Sequence, residues 1–232
     1  GAMTGSGGAG GTGGGGATIT GGDGGAAIVF GGRCGAAATT GGGAADTGGR
    51  RGAKVGGGAL GAAATGGQEA AARLAPRHPA ARFVFAGGGE QLEALRAEVL
   101  ARGLGGACQF IGWREDSGEL LAAADIFALT SLWEGLPRSL VEAFKTGLPA
   151  VCYSADGVSD ILADGVNGFL LPPGDLDAFC AALDRLLGDA ALRAAMAKAA
   201  AATDLAGFDI DQMVKQQEEL YAELLDKKGL KK

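Results

Sequence analysis

Between residues 82 and 171 the chain repeats one unit five times. A run of four or five apolar residues ends in a turn, and a segment with helical spacing follows. The apolar runs are RFVFA (82–86), ACQFI (107–111), DIFAL (125–129), PAVCY (149–153) and GFLL (168–171). Leu92, Leu95, Val99 and Leu100 place a helix in 90–103. Further helices are expected at 118–124, 138–146 and 158–163, and then at 175–187, 189–202 and 210–226. QEAAARLAPR (68–77) reads as the end of another helix. Strands alternating with helices at short spacing imply βαβ units and a parallel sheet. Runs that are apolar throughout belong to strands covered on both faces. The predicted class is therefore α/β, a Rossmann-like doubly wound parallel sheet. Ligands of such sheets sit outside the carboxyl ends of the strands, so each loop that follows a strand is a candidate site.

Upstream of residue 68 the texture changes. Residues 1–67 hold 29 of the 46 glycines, and most of the rest is Ala and Thr. Ordering glycine costs more backbone entropy than ordering any other residue, and such side chains build no ordinary core. Two readings stay open: a flexible low-complexity tail, or a stretch whose true side chains are larger than the Gly and Ala written. An intact mass matching 22.7 kDa excludes the second. Within this stretch AAIVF is a plausible first strand, near 26–30, which makes the expected sheet six-stranded. The expected division is 1–67 (glycine- and alanine-rich, with that strand), 68–208 (the Rossmann-like domain) and 209–232 (a C-terminal helix and tail).

The net charge of −6 argues against a nucleic-acid or anionic-membrane binder, which would present a basic face. No run of 18 apolar residues and no secretory leader is evident, so a cytoplasmic location is expected. The cysteines (Cys34, Cys108, Cys152, Cys180) form no CxxC pair, and buried free thiols are the plain reading.

SLWEGLPRSLVEA (131–143) follows the DIFAL strand. Pro137 suits a helix start. The free amides of Leu136, Arg138 and Ser139 are expected to point out of the helix N-terminus, where the helix dipole favours an anion. Gly135 admits close approach to the backbone. Glu134 lies in the loop before the helix and Glu142 inside it, eight residues on. A phosphate on the amides would leave each carboxylate free to accept hydrogen bonds from sugar hydroxyls. A nucleotide sugar has that order: ribose, diphosphate, sugar. Two glutamates eight apart also occur by chance in many helical proteins, so spacing alone does not establish a site.

DIFALTSLWEGLPRSLVEAFKTGLPAV (125–151) closely resembles the donor-binding half of retaining glycosyltransferases with the GT-B fold, family GT4. FVFAGGGE (83–90), FIGW (110–113) and DGVSDILADGVNGFLLPPGD (156–175) resemble further family segments in the expected order. The resemblance implies transfer of a sugar, with retention, from a UDP- or GDP-sugar to an acceptor (a glycan, a lipid or a small molecule). It implies Glu134 at the donor sugar as the catalytic carboxylate, and Glu142 at the ribose hydroxyls. Gly135, Leu136, Pro137, Arg138 and Ser139 would meet the diphosphate and sugar. The backbone around Trp113 and Arg114 would meet the nucleobase. An Arg and a Lys on the diphosphate would be Arg33, after the AAIVF strand, and Lys54, near Gly49-Arg50. No metal and no cofactor is implied, and no DxD motif is present.

Glycosyltransferases of this fold carry an acceptor domain first, and 1–67 is too short for one. The chain is thus expected to bind a nucleotide without turning it over. A peripheral membrane contact, if any, would come through that absent domain. A non-catalytic nucleotide-binding module and another GT-B-like enzyme, such as a sugar-nucleotide epimerase or a phosphorylase, are the alternatives. His78 reads as a solvent-exposed turn residue and Trp133 as a pocket wall or core residue. Asp160 reads equally as a helix-start cap or a ligand contact.

Overall fold

The computed structural model describes residues 27–30, 58–89 and 91–229. In chain order the elements are β1 (Ala27–Phe30), α1 (Gly58–Leu74), β2 (Arg82–Ala86), α2 (Leu92–Ala101), β3 (Cys108–Gly112), α3 (Ser117–Ala122) and β4 (Ile126–Leu129). Then come α4 (Arg138–Lys145), β5 (Ala150–Tyr153), β6 (Gly168–Leu171), α5 (Leu176–Gly188), α6 (Ala190–Ala201) and α7 (Ile210–Lys227). The expected diphosphate contacts, Arg33 and Lys54, lie outside the described residues, as do Cys34 and most of 1–67.

The six strands form one sheet in the order β3-β2-β1-β4-β5-β6, and every pairing is parallel. This is the sheet expected from the alternating pattern, with AIVF as its first strand. Ile28 pairs with Phe83 on one side and with Ile126 on the other. The order therefore reverses between β1 and β4, and a parallel sheet of this kind opens a crevice at that reversal.

Strand side chains alternate between two cores. Ile28, Phe83, Phe85 and Ala128 pack under α1 and α5, against Ala70, Leu74, Phe179 and Leu183. Val29, Val84, Phe127 and Leu129 pack under α3 and α4, against Leu120, Leu140, Val141 and Phe144. Full burial of a side chain such as Phe127 is worth about 1.5–3 kcal/mol. At the carboxyl end of the first core the rings of Phe30, Phe85 and Phe110 form a ladder across β1, β2 and β3, with centroids 4.8 Å apart at each step. Helix α1 lies directly on it. A Cβ at Gly67 would come within 2.8 Å of Phe85 and 2.9 Å of Phe30, so only glycine lets the helix approach this closely.

The connection from β5 to β6 departs from expectation. Residues 156–161 form consecutive turns and 162–163 are irregular, so the helix expected at 158–163 is absent. Val158 N–H bonds to the Ala155 carbonyl and Leu162 N–H to the Val158 carbonyl. Then the buried Asn167 side chain intervenes: its Oδ1 accepts from Ala163 N–H at 2.8 Å, and its Nδ2 donates to the Ile161 carbonyl at 3.2 Å and to Thr203 Oγ1 at 3.1 Å. A side chain that takes up these backbone groups competes with helix propagation. Asp160 is exposed in these turns and caps no helix. Further on, α5 runs through Gly188, and the break before α6 is made by Asp189, whose side chain accepts from Leu192 N–H.

Candidate functional site

All six strands end on one edge, and the expected site residues with described positions lie in the loops there or in the first turns of α4. Thr130 and Ser131, just after β4, are buried. The chain then emerges: Leu132 and Glu134 are half-buried, while Gly135, Leu136 and Arg138 are exposed. Trp133 is 73% exposed and so is not a core residue. Pro137 is buried and stands one position before the first turn of α4, with φ −75° and ψ 80°. Its carbonyl accepts from Leu140 N–H at 2.9 Å and Val141 N–H at 3.2 Å.

One expected amide is already engaged. Arg138 N–H bonds to the Leu136 carbonyl at 2.9 Å, because the chain turns through Pro137 tightly enough to close a three-residue ring. The amides of Leu136 and Ser139 have no backbone acceptor among the described residues. No side chain caps α4, so its N-terminus keeps donors and a positive dipole end for another group.

Glu142 falls outside the stripe of α4 that enters the core (Leu140, Val141, Ala143, Phe144) and is half-buried. Glu134 lies five residues past the end of β4. The Cys152 thiol, on β5 beside Leu129, is pushed far up by burial and then by the nearby Glu134 charge. Among the described residues neither Glu134 nor Glu142 has a side-chain hydrogen bond or ion pair. Both carboxylates thus keep their acceptor capacity for a ligand.

The base-side candidates lie at the end of β3. An extra residue enters the β2–β3 ladder there, so that Ala86 faces Gly112 while Phe85 faces Phe110. Such bulges re-aim a strand end. Gly112 has φ +71°, and its carbonyl accepts from Gly87 N–H at 2.8 Å, joining the Gly87–Gly89 turn to the Trp113 loop. Trp113 is 69% exposed. Arg114 bonds both carboxylate oxygens of Asp116, with Nε to Oδ1 at 2.6 Å, and this pairing holds the Asp116 carboxyl below its usual range. Its side chain is committed locally, which leaves the backbone of this loop to meet a ligand. β3 and β4 are separated by β2 and β1, three strand spacings of about 4.8 Å.

His78 is not a solvent-exposed turn residue. It is half-buried between α1 and β2, at the opposite edge of the sheet, with Nε2 2.7 Å from Asp184 Oδ1. Sequence reasoning missed two features of the site. Gly66 of α1 packs on Thr130, where a Cβ would meet Thr130 Cβ at 3.2 Å. Gly157, with φ +75°, packs on the backbone of Gly135. The Asp156-Gly157 pair is a turn signal that could have located the second. Among the described residues no three His, Cys, Asp or Glu side chains converge as metal ligands, and no helix is long and apolar enough to cross a membrane.

Comparison with known proteins agrees with this fold. An exopolysaccharide phosphotransferase of Streptomyces coelicolor is 35% identical over 162 residues, which is 69% of this chain and 17% of that protein. The UDP-Gal:alpha-D-GlcNAc-diphosphoundecaprenol alpha-1,3-galactosyltransferase of Escherichia coli is 33% identical over 148 residues, 63% of this chain and 38% of that protein. Among solved structures, Anabaena Alr3699/HepE in complex with UDP-glucose superposes with a TM-score of 0.66 at 24% identity, covering 86% of this chain and 49% of that one. The chain thus spans less than half the length of each. The model of the family described as "Glycosyl transferases group 1" matches residues 68–203, well over half of the sequence, and the chain belongs to that family.

Proposed function

We propose that this chain is the donor-binding part of a glycosyltransferase that takes a sugar from a nucleoside diphosphate sugar and passes it to an acceptor with retention of configuration. The observation that carries the reading is the pair of carboxylates, Glu134 and Glu142, which have no partner among the described residues and lie on either side of the uncapped α4 N-terminus, beside the β1/β4 reversal. A diphosphate placed on the Leu136 and Ser139 amides meets the positive end of α4. The ribose then falls to Glu142 and the sugar to Glu134. The base reaches towards Trp113 and the Gly87–Gly89 turn, across a span that suits a base, a ribose and a diphosphate. Arg33 and Lys54 are the proposed cations on the diphosphate.

In such a site the protein stabilises the charge that develops on the leaving diphosphate, by donors fixed in advance. Glu134 orients the sugar, and its charge favours positive character at the anomeric carbon. The amides and basic side chains supply the counter-charge without a required metal or cofactor. UDP is the favoured nucleotide, since a relative is named for UDP-Gal and the HepE structure contains UDP-glucose. The 232-residue chain by itself should bind the donor without transferring its sugar.

Calorimetry with UDP, GDP and their glucose and galactose conjugates tests this, with and without EDTA. Binding of a UDP-sugar that survives EDTA supports the proposal. Absence of binding to every member of the panel by the folded chain sinks it. Sugar transfer by the isolated chain would refute the division of labour while keeping the activity.

A further inference from the structure

The loop after β5 carries no carboxylate or cation that the proposed function uses, yet it touches the Glu134 loop more closely than any side chain would permit. Gly157 sits at φ +75°, and a Cβ built there would lie 2.0 Å from the Gly135 carbonyl oxygen, 3.1 Å from its carbon and 3.3 Å from Pro137 Cδ. Ordinary contact needs about 3.5 Å. One backbone must therefore retreat if residue 157 is anything but glycine.

The two sides of this contact are not equally free. The Gly157 side is anchored on both flanks. Ser154 N–H bonds to the Leu171 carbonyl of β6 at 2.7 Å, and Val158 N–H to the Ala155 carbonyl at 3.1 Å. Ala155 and Val158 are buried. The Gly135 side is exposed, with nothing within 4 Å of a Cβ built on it. Displacement would fall on the peptide that joins Glu134 to Leu136, and so on both the carboxylate and the amide assigned to the donor.

We infer that Gly157 is a positioning residue: its missing Cβ sets how far the Glu134–Pro137 loop settles toward the β5 end, and hence where Glu134 and the Leu136 amide meet the sugar and diphosphate. The role of those two groups rests on the function proposed above; the contact itself does not.

Gly165 supplies a matched control. It lies in the same β5–β6 connection at φ +72°, and nothing stands within 4 Å of a Cβ there. Gly165→Ala carries the left-handed strain alone, whereas Gly157→Ala carries the strain and the collision. Gly157→Asn separates the two further, because Asn tolerates this backbone region and still has a Cβ. If Gly157→Ala does not fold, Gly157→Asn provides the measurement.

The test uses the 232-residue chain. Two-dimensional amide NMR of the Gly157 and Gly165 variants is followed by calorimetry with UDP and UDP-glucose. The expected result is that a Gly157 substitution moves the Gly135, Leu136 and Ser139 amide signals and weakens UDP-glucose binding tenfold or more, with a smaller loss for UDP. Gly165→Ala should leave these signals and both affinities unchanged. Unmoved 135–139 signals in the Gly157 variants, or equal movement in Gly165→Ala, would overturn the inference. If the wild-type chain binds neither ligand, the donor reading fails, and the amide signals still decide whether Gly157 sets the loop.

Discussion

The outer surface of α1, α2 and α5 and the carboxyl edge of the sheet handle charge in opposite ways. On the helices charges are matched. Glu69 accepts from Arg73 at 3.3 Å and from Arg102 at 2.7 Å, and Arg102 also reaches Glu98 at 2.7 Å. Arg73 extends to Asp177, and Asp184 takes both Arg77 and His78. At the carboxyl edge, among the described residues, Glu134 and Glu142 stand without partners beside the Leu136 and Ser139 amides, which also lack them. Exposed ion pairs stabilise a fold by about 0–1 kcal/mol each, so matching on the helices secures relative placement more than stability. Half-buried carboxylates without partners are tolerable only because water still reaches them, and they hold their binding capacity in reserve. A group that is satisfied inside the protein has little left to offer a ligand.

The comparison breaks first if the carboxylates prove to be structural. Glu142→Ala should weaken UDP binding by about tenfold to a hundredfold, from the loss of charge-assisted bonds worth roughly 1.5–3 kcal/mol before water exchange. Its urea midpoint should barely move. A matched loss of stability would show that Glu142 has partners in the free protein. Glu134→Ala should leave UDP binding nearly intact and weaken UDP-glucose binding alone. The reverse pattern would turn the ligand end for end.

Asn167 sharpens the contrast from the satisfied side. Asn167→Ala strands the Ala163 N–H and the Ile161 carbonyl, while Thr203 keeps its bond to the Ala199 carbonyl, at a cost of about 1–3 kcal/mol in chemical denaturation. Nucleotide affinity should stay the same, because the network lies on the far side of the β5–β6 connection from the site. A loss of binding without a loss of stability would contradict that separation.

The Asp184 cluster gives a smaller effect with a pH signature. Its carboxyl is held below the usual range, first by the hydrogen bond from His78 and then by the Arg77 charge, although burial opposes this. A carboxyl with a lowered folded pKa stabilises above its ordinary value of about 3.9 and loses that contribution as pH falls through the folded value. Asp184→Asn should therefore cost about 0.5–1 kcal/mol at pH 6, discounted for its partial exposure, and much less at pH 3. Equal cost at both pH values would mean that shape, not charge, matters there. Least of all should change at the thiols. Burial raises Cys108 to about 11 and Cys180 in the same direction, so with Cys152 they should resist alkylation at pH 8 until the chain unfolds.

Much of this architecture was legible in residue order. Five apolar runs placed five strands to within a residue or so, because strands covered on both faces leave a dense signature. The AIVF strand was legible as well, since its apolar residues stand out against glycine. What the order concealed was contact between distant segments. Gly157 shows in the sequence only as part of an Asp-Gly turn, yet it packs on the distant Gly135 backbone, and Asn167 ties the nearby Ile161 and Ala163 backbone to the distant Thr203 side chain. Residues 158–163 read as a helix because apolar spacing does not reveal that a later asparagine will claim the Ala163 amide. Glu134 and Glu142 were legible as acids near a helix start. That they remain unpaired needed the packed structure, as did the finding that the Arg138 amide is spent on Leu136.

The position of β1 has a consequence for how the molecule assembles. The earliest strand in the chain is the third across the sheet, pairing with β2 on one side and β4 on the other. As the chain is synthesised, Ile28 has no lateral partner until Phe83 has emerged, and its second waits for Ile126. Pairings between segments so far apart close slowly, since the loop entropy is lost before the contacts form. Until β4 arrives, β1 keeps one edge open, the kind of surface that recruits another chain. Four residues, AIVF, join the two halves of the sheet, and a nascent chain interrupted before residue 126 would be the species most prone to aggregate.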